Sequence, residues 1–452
     1  MPDPALVALA DIEAAAARLR PYVQPTPTVR SRLLSERLGG EVYLKQELFQ
    51  RGGSFKLRGA LNRILTLSPA ERARGVIAAS AGNHAQGVAI ASGIAGCRAT
   101  VVMPESAPLA KVAATADYGA RVVLHGSNYD EAHAHALALA AAEGLTYIHA
   151  FDDPAVIAGQ GTVALEMLAA VPDLEALVVP VGGGGLASGV GVVAKARRSP
   201  LRVYGVQAAG AAAAVAAFRT GVLAPLAEVR TFADGIAVKA PGPLTLAHLR
   251  AYCDELLAVD DDRIAEAIVL LMERNKLVVE GAGAVGVAAL LAGALAPLRG
   301  RRVGIVLSGG NIDLTTIDRV VQHGLTAAGR YLVFRTRLEE RPGELARLSA
   351  LLARTRANIL EVRHYVRGVA LGVNEVDLEL TVETRNAAHG EEILAQLRAA
   401  GYRVATGYLA PEGAPPAPAL PAAPVGDSAP TTGRSDGSQP ASRSHGAAAP
   451  GA

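Results

Sequence analysis

A lysine set among apolar residues is the first feature of the sequence that could do chemistry. Lys56 stands in the segment Ser54-Phe55-Lys56-Leu57-Arg58-Gly59-Ala60, directly behind Gly52-Gly53. Apolar surroundings remove hydration from an ammonium group, so they favour the neutral amine and lower its pKa. A neutral amine can attack a carbonyl carbon and form a Schiff base. The alternative for a single lysine is a solvated surface position, and three later segments favour the chemical role.

The second segment is a polar loop, Ser80-Ala81-Gly82-Asn83-His84, between a predicted strand and a predicted helix. The free N–H groups and the positive dipole end at the start of a helix suit a carboxylate, and Asn83 adds a side-chain amide. Taken alone, the pattern favours an ordinary N-cap turn. No partner of His84 lies at the spacing of a metal site, so we expect a hydrogen-bonded structural histidine.

The third segment is a run of glycines, Gly182-Gly183-Gly184-Gly185-Leu186, after the apolar stretch Leu177–Val181. Without side chains, consecutive backbone N–H groups can point together at a phosphate. A flexible turn is the alternative, but it fits poorly between a buried strand and a helix. The glycines lack the G-x-G-x-x-G spacing of dinucleotide sites, and no lysine stands where a P-loop requires one. The expected phosphate therefore belongs to something other than NAD or ATP.

The fourth segment, Ser308-Gly309-Gly310-Asn311-Ile312-Asp313, follows the predicted strand Arg302–Leu307. Ligands of open α/β sheets bind at the carboxyl ends of the strands. The Ser308 hydroxyl can hydrogen-bond a pyridine-type nitrogen without forcing protonation, whereas a carboxylate would hold the ring as pyridinium. The alternative is a simple Ser-Gly turn.

Alternating strands and helices must position these segments. Apolar runs such as Leu177–Val181 and Arg302–Leu307 are typical of strands covered on both faces, and the alternation predicts parallel sheets wrapped by helices in an α/β fold. At the N-terminus, residues 5–20 predict a helix with Asp11 as its N-cap.

The pattern changes after Arg330. Strands predicted at 331–337, 358–367, 375–384 and 403–406, with helices at 341–356 and 390–400, give a β-α-β-β-α-β order. From about Ala410 the chain consists mainly of Pro, Ala, Ser and Gly, which predicts a disordered tail over residues 410–452.

Composition excludes several classes of function. The 44 basic and 42 acidic residues give a formal charge of +2, which offers no case for nucleic acid or an anionic membrane as partner. Cys97 and Cys253 lack the spacing of a disulfide or metal framework and indicate a reducing compartment. The first residues lack a secretory signal, so we expect a cytoplasmic protein. The apolar stretch Gly281–Leu298 predicts a buried helix rather than a membrane span.

Together and in this order, the four segments resemble the threonine dehydratase (threonine ammonia-lyase) branch of fold-type II pyridoxal-phosphate enzymes. Phe232–Lys239 and Val279–Gly283 are similar to that branch as well, and the resemblance covers about residues 10–325. It implies two open parallel-sheet subdomains of the tryptophan-synthase-β type in a catalytic domain of residues 1–325, with the smaller subdomain, about residues 70–150, inserted in it. Residues 331–408 resemble an ACT regulatory domain, an α+β ferredoxin-like module that senses amino acids.

The resemblance implies pyridoxal 5'-phosphate as cofactor and gives each motif a role. Lys56 would hold the cofactor through a Schiff base, Asn83 would bond the ring hydroxyl, and Ser308 would face the ring nitrogen. The segment Gly182, Gly183, Gly184, Gly185 and Leu186 would wrap the phosphate. The loop Ser80, Ala81, Gly82, Asn83 and His84 would receive the substrate carboxylate.

The implied reaction is the dehydration and deamination of L-threonine to 2-oxobutanoate and ammonia, with some activity on L-serine. The amine of Lys56 would remove the Cα proton, and the cofactor ring would accept the charge. The alternatives are a related dehydratase acting on serine or 3-hydroxyaspartate, and a non-catalytic amino-acid sensor. The intact Lys56 and the four glycines argue against a sensor. Whether the reaction serves isoleucine biosynthesis or threonine catabolism stays open.

At two positions this chain differs from related enzymes, and each difference limits the predicted chemistry. Serine racemases of this family carry a second serine where this chain has Ala81, so we expect dehydration to dominate over racemisation. Relatives often bind a divalent cation through a glutamate where this chain has Gln207, so we expect no tight metal site. A monovalent ion held by carbonyl groups stays open.

In the ACT-like region, Arg341, Glu344 and Asn358 occupy places where such domains bind an amino acid. The expectation is therefore an amino-acid effector, with isoleucine the usual inhibitor of the family, and the alternative is a module used only for dimerisation. The expected assembly is a homo-oligomer, either a dimer or a tetramer.

Overall fold

The computed structural model describes residues 5–365 and 371–406. The strands of these residues are β1 (Thr28–Arg30), β2 (Glu41–Gln46), β3 (Val76–Ala79), β4 (Ala99–Met103), β5 (Arg121–Leu124), β6 (Thr146–Tyr147), β7 (Ala176–Pro180), β8 (Arg202–Ala208), β9 (Glu255–Val259), β10 (Arg302–Leu307), β11 (Tyr331–Glu339), β12 (Asn358–Tyr365), β13 (Glu375–Glu383) and β14 (Val404–Thr406).

Helices alternate with these strands. They are α1 (Leu9–Leu19), α2 (Arg32–Leu38), α3 (Lys56–Leu65), α4 (Pro69–Arg74), α5 (Asn83–Ala95), α6 (Leu109–Asp117), α7 (Tyr129–Glu143), α8 (Pro154–Ala170), α9 (Gly185–Arg197), α10 (Ala213–Thr220), α11 (Pro243–Tyr252), α12 (Asp261–Leu270), α13 (Gly281–Leu291), α14 (Leu314–Ala327), α15 (Glu344–Arg354) and α16 (Ala387–Ala399).

The larger sheet has the strand order β1-β2-β10-β7-β8-β9. Strand β1 is antiparallel to β2, and the remaining neighbours are parallel. Every residue of β7 is buried, and so is every residue of β10 after Arg302. Burial on both faces explains why these strands read as continuous apolar runs.

The smaller sheet has the order β5-β4-β3-β6, and its neighbouring strands are all parallel. It spans Val76–Tyr147, so it coincides with the smaller subdomain expected at about residues 70–150. The loops that hold the predicted site segments follow strands β3, β7 and β10. They therefore leave the carboxyl ends of parallel strands, where ligands of such sheets bind.

The predicted α/β class is confirmed, and the elements refine the predicted boundaries. The first helix begins at Leu9 with Ala8 as N-cap, so the prediction of Asp11 as N-cap was wrong. Asp11 lies in the first turn, where its carboxylate accepts a hydrogen bond from the Ala8 N–H at 2.9 Å. A carboxylate three positions after the N-cap also satisfies a free N–H group, which is why the sequence pattern misplaced the start.

Residues 331–406 form an antiparallel sheet with the order β12-β13-β11-β14 and two helices on one face. This is the strand order of a ferredoxin-like β-α-β-β-α-β unit. The alternation predicted in β13 is confirmed, because Val376, Leu378, Leu380 and Val382 are buried. The end of the strand predicted at 358–367 and the predicted tail, residues 410–452, lie outside the described residues.

No helix in the described ranges combines the length and the apolar character needed to cross a membrane. The apolar stretch that follows Glu280 forms the buried helix α13, which confirms the prediction for Gly281–Leu298 in its first eleven residues. A short 3₁₀ turn, Ala296–Leu298, ends the stretch.

Candidate active site

Lys56 is the first residue of α3, and its amine points into the protein. The Nζ atom donates a hydrogen bond to the Ala150 carbonyl oxygen at 3.1 Å. Burial lowers the pKa of Lys56 from 10.5 to about 8, although the carboxylate of Glu280 works in the opposite direction. The positive end of α3 further disfavours an ammonium group at this position. A substantial fraction of the amine is therefore neutral and nucleophilic close to neutral pH.

The four-glycine loop leaves its N–H groups free while its carbonyl groups are occupied. The carbonyl of Gly183 accepts from the Thr245 hydroxyl at 2.6 Å, and the carbonyl of Gly184 accepts from the Ser188 N–H at 2.9 Å. Within the described residues, the N–H groups of Gly182, Gly183 and Gly184 donate to no protein acceptor. Helix α9 begins at Gly185, so its positive end adds to this arrangement. Buried N–H groups at a helix start are suited to a phosphate.

Side chains are excluded from this loop by its neighbours. A Cβ atom at Gly183 would overlap the ring of Phe151. Gly184 has a φ of +96°, and a Cβ atom there would lie 3.0 Å from the Cβ of Thr245. Because Phe151 follows Ala150, the residue that packs on the glycine loop is adjacent to the acceptor of the Lys56 amine. The amine and the glycine loop are thus joined through two consecutive residues.

Ser308 lies beside the lysine segment. Its carbonyl accepts a hydrogen bond from the Phe55 N–H at 3.1 Å, and Ser54 pairs with Gly309 in a short antiparallel bridge. The side chain of Ser308 is 2% exposed. The structure therefore brings Ser308 next to Lys56, although 252 positions separate them in the sequence.

The loop that begins at Ser80 follows β3 directly. The Ser80 hydroxyl accepts from the Gly82 N–H at 3.2 Å, and Ala81 is partly exposed. His84 is buried, and its Nε2 lies 2.9 Å from the Ile148 carbonyl oxygen. Burial, together with Lys56, lowers the pKa of His84 to about 3, so the ring is neutral. This geometry is that of the hydrogen-bonded structural histidine expected from the sequence.

Asn83 is held by two loops of the larger subdomain. Its Nδ2 donates to both carboxylate oxygens of Glu280, at 2.8 and 2.9 Å, and its Oδ1 accepts from Asn311 Nδ2 at 2.8 Å. The Asn311 amide also donates to the Gly52 carbonyl at 2.8 Å. The network links the polar loop, the Ser308 segment and the glycines before Lys56.

Together these residues fit pyridoxal phosphate. An amine with a lowered pKa suits the aldehyde carbon, free N–H groups at a helix start suit the phosphate, and a small hydroxyl residue at a strand end suits a ring nitrogen. No group in the described residues offers three or more histidine, cysteine, aspartate or glutamate side chains to a metal ion.

A family model described as pyridoxal-phosphate dependent enzyme matches residues 19–309. The chain belongs to this family. The enzyme is 47% identical to the L-threonine ammonia-lyase of Thermotoga maritima over 399 residues, which is 88% of this chain and 99% of that protein. Because 399 residues exceed the 330 that precede the antiparallel sheet, the match extends into the C-terminal region.

Solved structures give the same family. The processed form of threonine deaminase isoform 2 from Solanum lycopersicum superposes with a TM-score of 0.67 at 37% identity, over 72% of this chain and 98% of that one. The structure of maize serine racemase has a TM-score of 0.68 at 33% identity, over 72% of this chain and 99% of that one. Chains of this fold therefore include both a deaminase and a racemase, so fold alone does not select the reaction.

Several residues of the site were not found by sequence reasoning. Glu280 belongs to a motif that was noted without a role, and its signal was a single acidic residue directly before the most apolar stretch of the chain. Thr245 orders the glycine loop, and its own N–H donates to Asp152 at 2.9 Å. Phe151 shapes the loop by packing. No local pattern marks Thr245 or Phe151.

Gln207, on which the expectation of no tight metal site rests, lies near the end of β8. It is 1% exposed, its Oε1 accepts from the Val215 N–H at 2.9 Å, and its Nε2 lies 3.4 Å from the Gly182 carbonyl oxygen. A neutral amide therefore contacts the first glycine of the loop. The absence of a tight metal site stays a prediction.

The three residues expected to hold an effector lie in the antiparallel-sheet region. Arg341 is exposed and forms an ion pair with Glu339. The Glu344 N–H donates to the Arg341 carbonyl at 3.4 Å, which places these two residues in one turn. Asn358 begins β12 opposite Glu383. Their effector role stays a prediction.

The carboxyl group of Glu280 titrates near neutral pH. The residue is 2% exposed, and burial followed by the charge of Asp234 raises the pKa of Glu280 from 4.5 to about 7. Between pH 4.5 and 7, Glu280 therefore keeps a proton in the folded protein that it has lost in the unfolded chain. The free energy of unfolding falls as pH rises through this range, because ionising the buried carboxyl group costs more in the folded protein. The Glu280→Gln variant removes this cost. We expect its free energy of unfolding to rise relative to the wild type by roughly 2 to 3 kcal/mol between about pH 5 and pH 8.

Urea denaturation of the full chain across this pH range measures the difference. Glu175→Gln is a control without a slope in this range, because the Arg302 N–H, and then Arg301, lower the pKa of Glu175 below 4.5. Its stabilising contribution is complete above pH 4.5, so the difference between that variant and the wild type should stay nearly constant from about pH 5 to about pH 8. Parallel pH curves for the wild type and Glu280→Gln would contradict the assignment.

Proposed function

We propose that the enzyme converts L-threonine to 2-oxobutanoate and ammonia, with a lower rate on L-serine. The observation that carries the proposal is the combination of a Lys56 amine whose pKa is lowered by burial to about 8 with a glycine loop of free N–H groups, in a chain 47% identical to an L-threonine ammonia-lyase over 99% of that protein. The amine supports covalent chemistry on a carbonyl group. The identity supports threonine as the substrate.

Three segments of the chain would bind the cofactor. Lys56 would hold pyridoxal phosphate covalently, Gly182–Leu186 would hold its phosphate, and Ser308 would lie at its ring nitrogen. The cofactor, when bound, supplies an electron sink for the charge that develops at the substrate Cα atom. The hydroxyl of Ser308 would hydrogen-bond the ring nitrogen without protonating it, an arrangement that would favour loss of the β-hydroxyl over transamination.

Lys56 would be the base that removes the proton from the substrate Cα atom. Once the substrate has taken the place of the Lys56 amine, the free Nζ would take the Cα proton. A pKa of about 8 suits this base near neutral pH. The loop Ser80–His84 would receive the substrate carboxylate at the start of α5. The N–H groups of Ser80 and Gly82 donate to the Val102 carbonyl and the Ser80 hydroxyl, so the other N–H groups of the loop would orient the carboxylate. Asn83 would bond the ring hydroxyl, with its amide oriented by Glu280 and Asn311.

Ala81 favours a lyase over a racemase. Removal and return of the Cα proton on opposite faces require a second base, and an alanine methyl group cannot provide one. With Lys56 as the base on one face, we expect net dehydration and little D-threonine or D-serine.

The test is an assay of 2-oxo acid release by the purified full chain with pyridoxal phosphate. Threonine, serine and 3-hydroxyaspartate yield 2-oxobutanoate, pyruvate and oxaloacetate, so chromatography of the products separates the alternatives. We expect the highest kcat/KM for threonine, by about tenfold over serine, because the extra methyl group is worth about 1–3 kcal/mol in an apolar pocket.

A higher kcat/KM for serine or 3-hydroxyaspartate would replace the proposed substrate. Failure to release any 2-oxo acid, with no cofactor bound, would instead support the non-catalytic amino-acid sensor. The same assay with isoleucine tests the effector role of Arg341, Glu344 and Asn358 in the ACT-like region. A change in KM or kcat supports it, and unchanged kinetics support a module used only for dimerisation.

We further propose a cytoplasmic homo-oligomer, dimeric or tetrameric, with a catalytic domain of residues 1–325 and an ACT-like regulatory domain of residues 331–408. The two cysteines support a reducing compartment, because Cys97 and Cys253 are both free thiols. The ferredoxin-like strand order supports the ACT-like assignment.

A further inference from the structure

Lys111 joins the two subdomains at the edge of the site. It lies on α6, which packs with the smaller sheet, and the residue is 8% exposed. Its Nζ lies 2.5 Å from Asp234 Oδ2 and 3.4 Å from Asp313 Oδ2. Both aspartates belong to loops of the larger subdomain. One cation of the smaller subdomain therefore contacts two separate loops of the larger one.

Each of these loops touches residues that the proposed function uses. The loop at Asp234 packs on the glycine segment, since a Cβ atom at Gly182 would lie 3.1 Å from the Cα of Ile236. The loop at Asp313 follows Asn311, whose amide holds Asn83 at 2.8 Å. Movement of either loop would therefore shift the groups expected to hold phosphate and the cofactor ring.

The charges favour this contact strongly. Asp234 and Asp313 place two carboxylates next to one ammonium group. Burial alone would lower the pKa of Lys111, but Asp234 and Asp313 outweigh it and the pKa is raised. The ammonium group thus stays charged at neutral pH and holds both loops at once.

We propose that Lys111 is a positioning residue that clamps the smaller subdomain against the loops of Asp234 and Asp313, and that this clamp sets the closed geometry in which threonine binds. The expected effect on threonine binding rests on the proposed function, whereas the contact of Lys111 with the two aspartates does not. In the absence of the clamp the closed form becomes a minor population, so substrate must supply the free energy of closure.

The test is Lys111→Met in the full chain with pyridoxal phosphate. If the closed fraction falls to about a tenth, the apparent KM for threonine rises about tenfold while kcat changes little. Hydrogen exchange of α6 and of the two loops should accelerate, and this readout requires no turnover. Lys111→Arg keeps the charge and should restore most of the KM, since an arginine can still reach both carboxylates.

The chain offers a matched control. Lys239 and Asp130 form another ion pair between the two subdomains, with the Nζ and Oδ2 atoms 2.6 Å apart. Asp130 and Asp234 are similarly exposed, at 61% and 56%. The cations differ, because the side chain of Lys239 is 49% exposed and that of Lys111 is 10% exposed. Exposed pairs contribute little, so Lys239→Met should change KM less than about twofold. Asp234→Asn and Asp313→Asn should each raise KM, and adding either to Lys111→Met should give little further effect.

Unchanged KM and unchanged exchange in Lys111→Met would overturn the proposal. If that variant unfolds, Asp234→Asn decides, because the amide has the same shape as the carboxylate and removes only the charge. Faster exchange confined to α6 and the two loops supports the clamp, and wild-type exchange there rejects it. If the wild type releases no 2-oxo acid from threonine, the proposed function fails, and the exchange readout still tests the clamp.

Discussion

Lys56→Ala should abolish covalent cofactor binding and reduce turnover of threonine by about 10³-fold or more. The residue would serve twice, first as the amine that holds the cofactor and then as the base at the substrate Cα atom. The Ala150 carbonyl accepts a hydrogen bond from the Lys56 amine at 3.1 Å, whereas the amine of Lys111, at the edge of the site, is paired with Asp234 and Asp313. These two carboxylates keep Lys111 charged, so we do not expect it to take over the role of Lys56.

Borohydride reduction followed by peptide mapping measures the binding step, and 2-oxo acid release measures turnover. The adduct should lie on the peptide that contains Lys56 in the wild type and should be missing in the variant. Lys56→Arg shows whether a positive charge alone is enough at this position, because a guanidinium keeps the charge but stays protonated and cannot act as the base. We expect it to be as inactive as the alanine variant. Lys239→Met is the control, with wild-type labelling.

An adduct on another lysine, or turnover in Lys56→Ala within about tenfold of the wild type, would refute the assignment. Such a result would leave the glycine loop intact as a phosphate site, but it would separate phosphate binding from the reacting amine. The two functions are joined in the structure through Ala150 and Phe151, so the experiment tests that link directly.

The segments that could be predicted from the sequence are those whose chemistry is local. The glycine run follows a strand that is buried on both faces, so β7 and the start of α9 were readable from hydrophobicity and glycine content alone. The same holds for Ser308 after β10. Strands such as β1, with three residues, and β9, at the edge of the larger sheet, were missed because short or half-exposed strands lack a continuous apolar run.

Contacts between distant segments were beyond local patterns. Asn83 and Glu280 are separated by 197 positions, and their hydrogen bonds depend on how the two subdomains pack. Lys111 looked like an ordinary helix residue, because its partners lie 123 and 202 positions further along the chain. Periodicity identifies the buried face of a helix, but it does not identify the charge on the opposing loop.

A buried charge cluster beneath α3 is another such case. Arg58 is 1% exposed, and it donates to both oxygens of Glu47 at 2.8 and 2.9 Å and to both oxygens of Glu166 at 2.6 and 2.9 Å. Lys45 Nζ lies 2.5 Å from Glu166 Oε2 and 4.0 Å from Glu47 Oε1. Two cations and two anions thus balance, and Thr26 donates to Glu47 at 2.5 Å.

Loss of Arg58 should destabilise the fold by about 3–5 kcal/mol, because it leaves the fully buried Glu47 with only the distant Lys45 as counter-charge. For Arg58→Met we expect the midpoint of thermal unfolding to fall by roughly 4–7 °C. Because Arg58 lies two residues after Lys56 on the same helix, cofactor affinity should fall as well. Differential scanning calorimetry and cofactor titration measure the two effects.

Two variants separate the charge cluster from ordinary packing. Arg263→Met removes an arginine from an exposed pair with Glu266, so it should cost less than about 1 kcal/mol. Arg58→Lys keeps the charge but cannot donate in parallel to two carboxylates, so it should fall between the wild type and Arg58→Met. The combination Arg58→Met with Glu47→Gln removes the orphaned charge and should recover part of the stability. If Arg58→Met costs no more than Arg263→Met, the cluster does not hold α3 in place, and the position of Lys56 must depend on the apolar face of the helix alone.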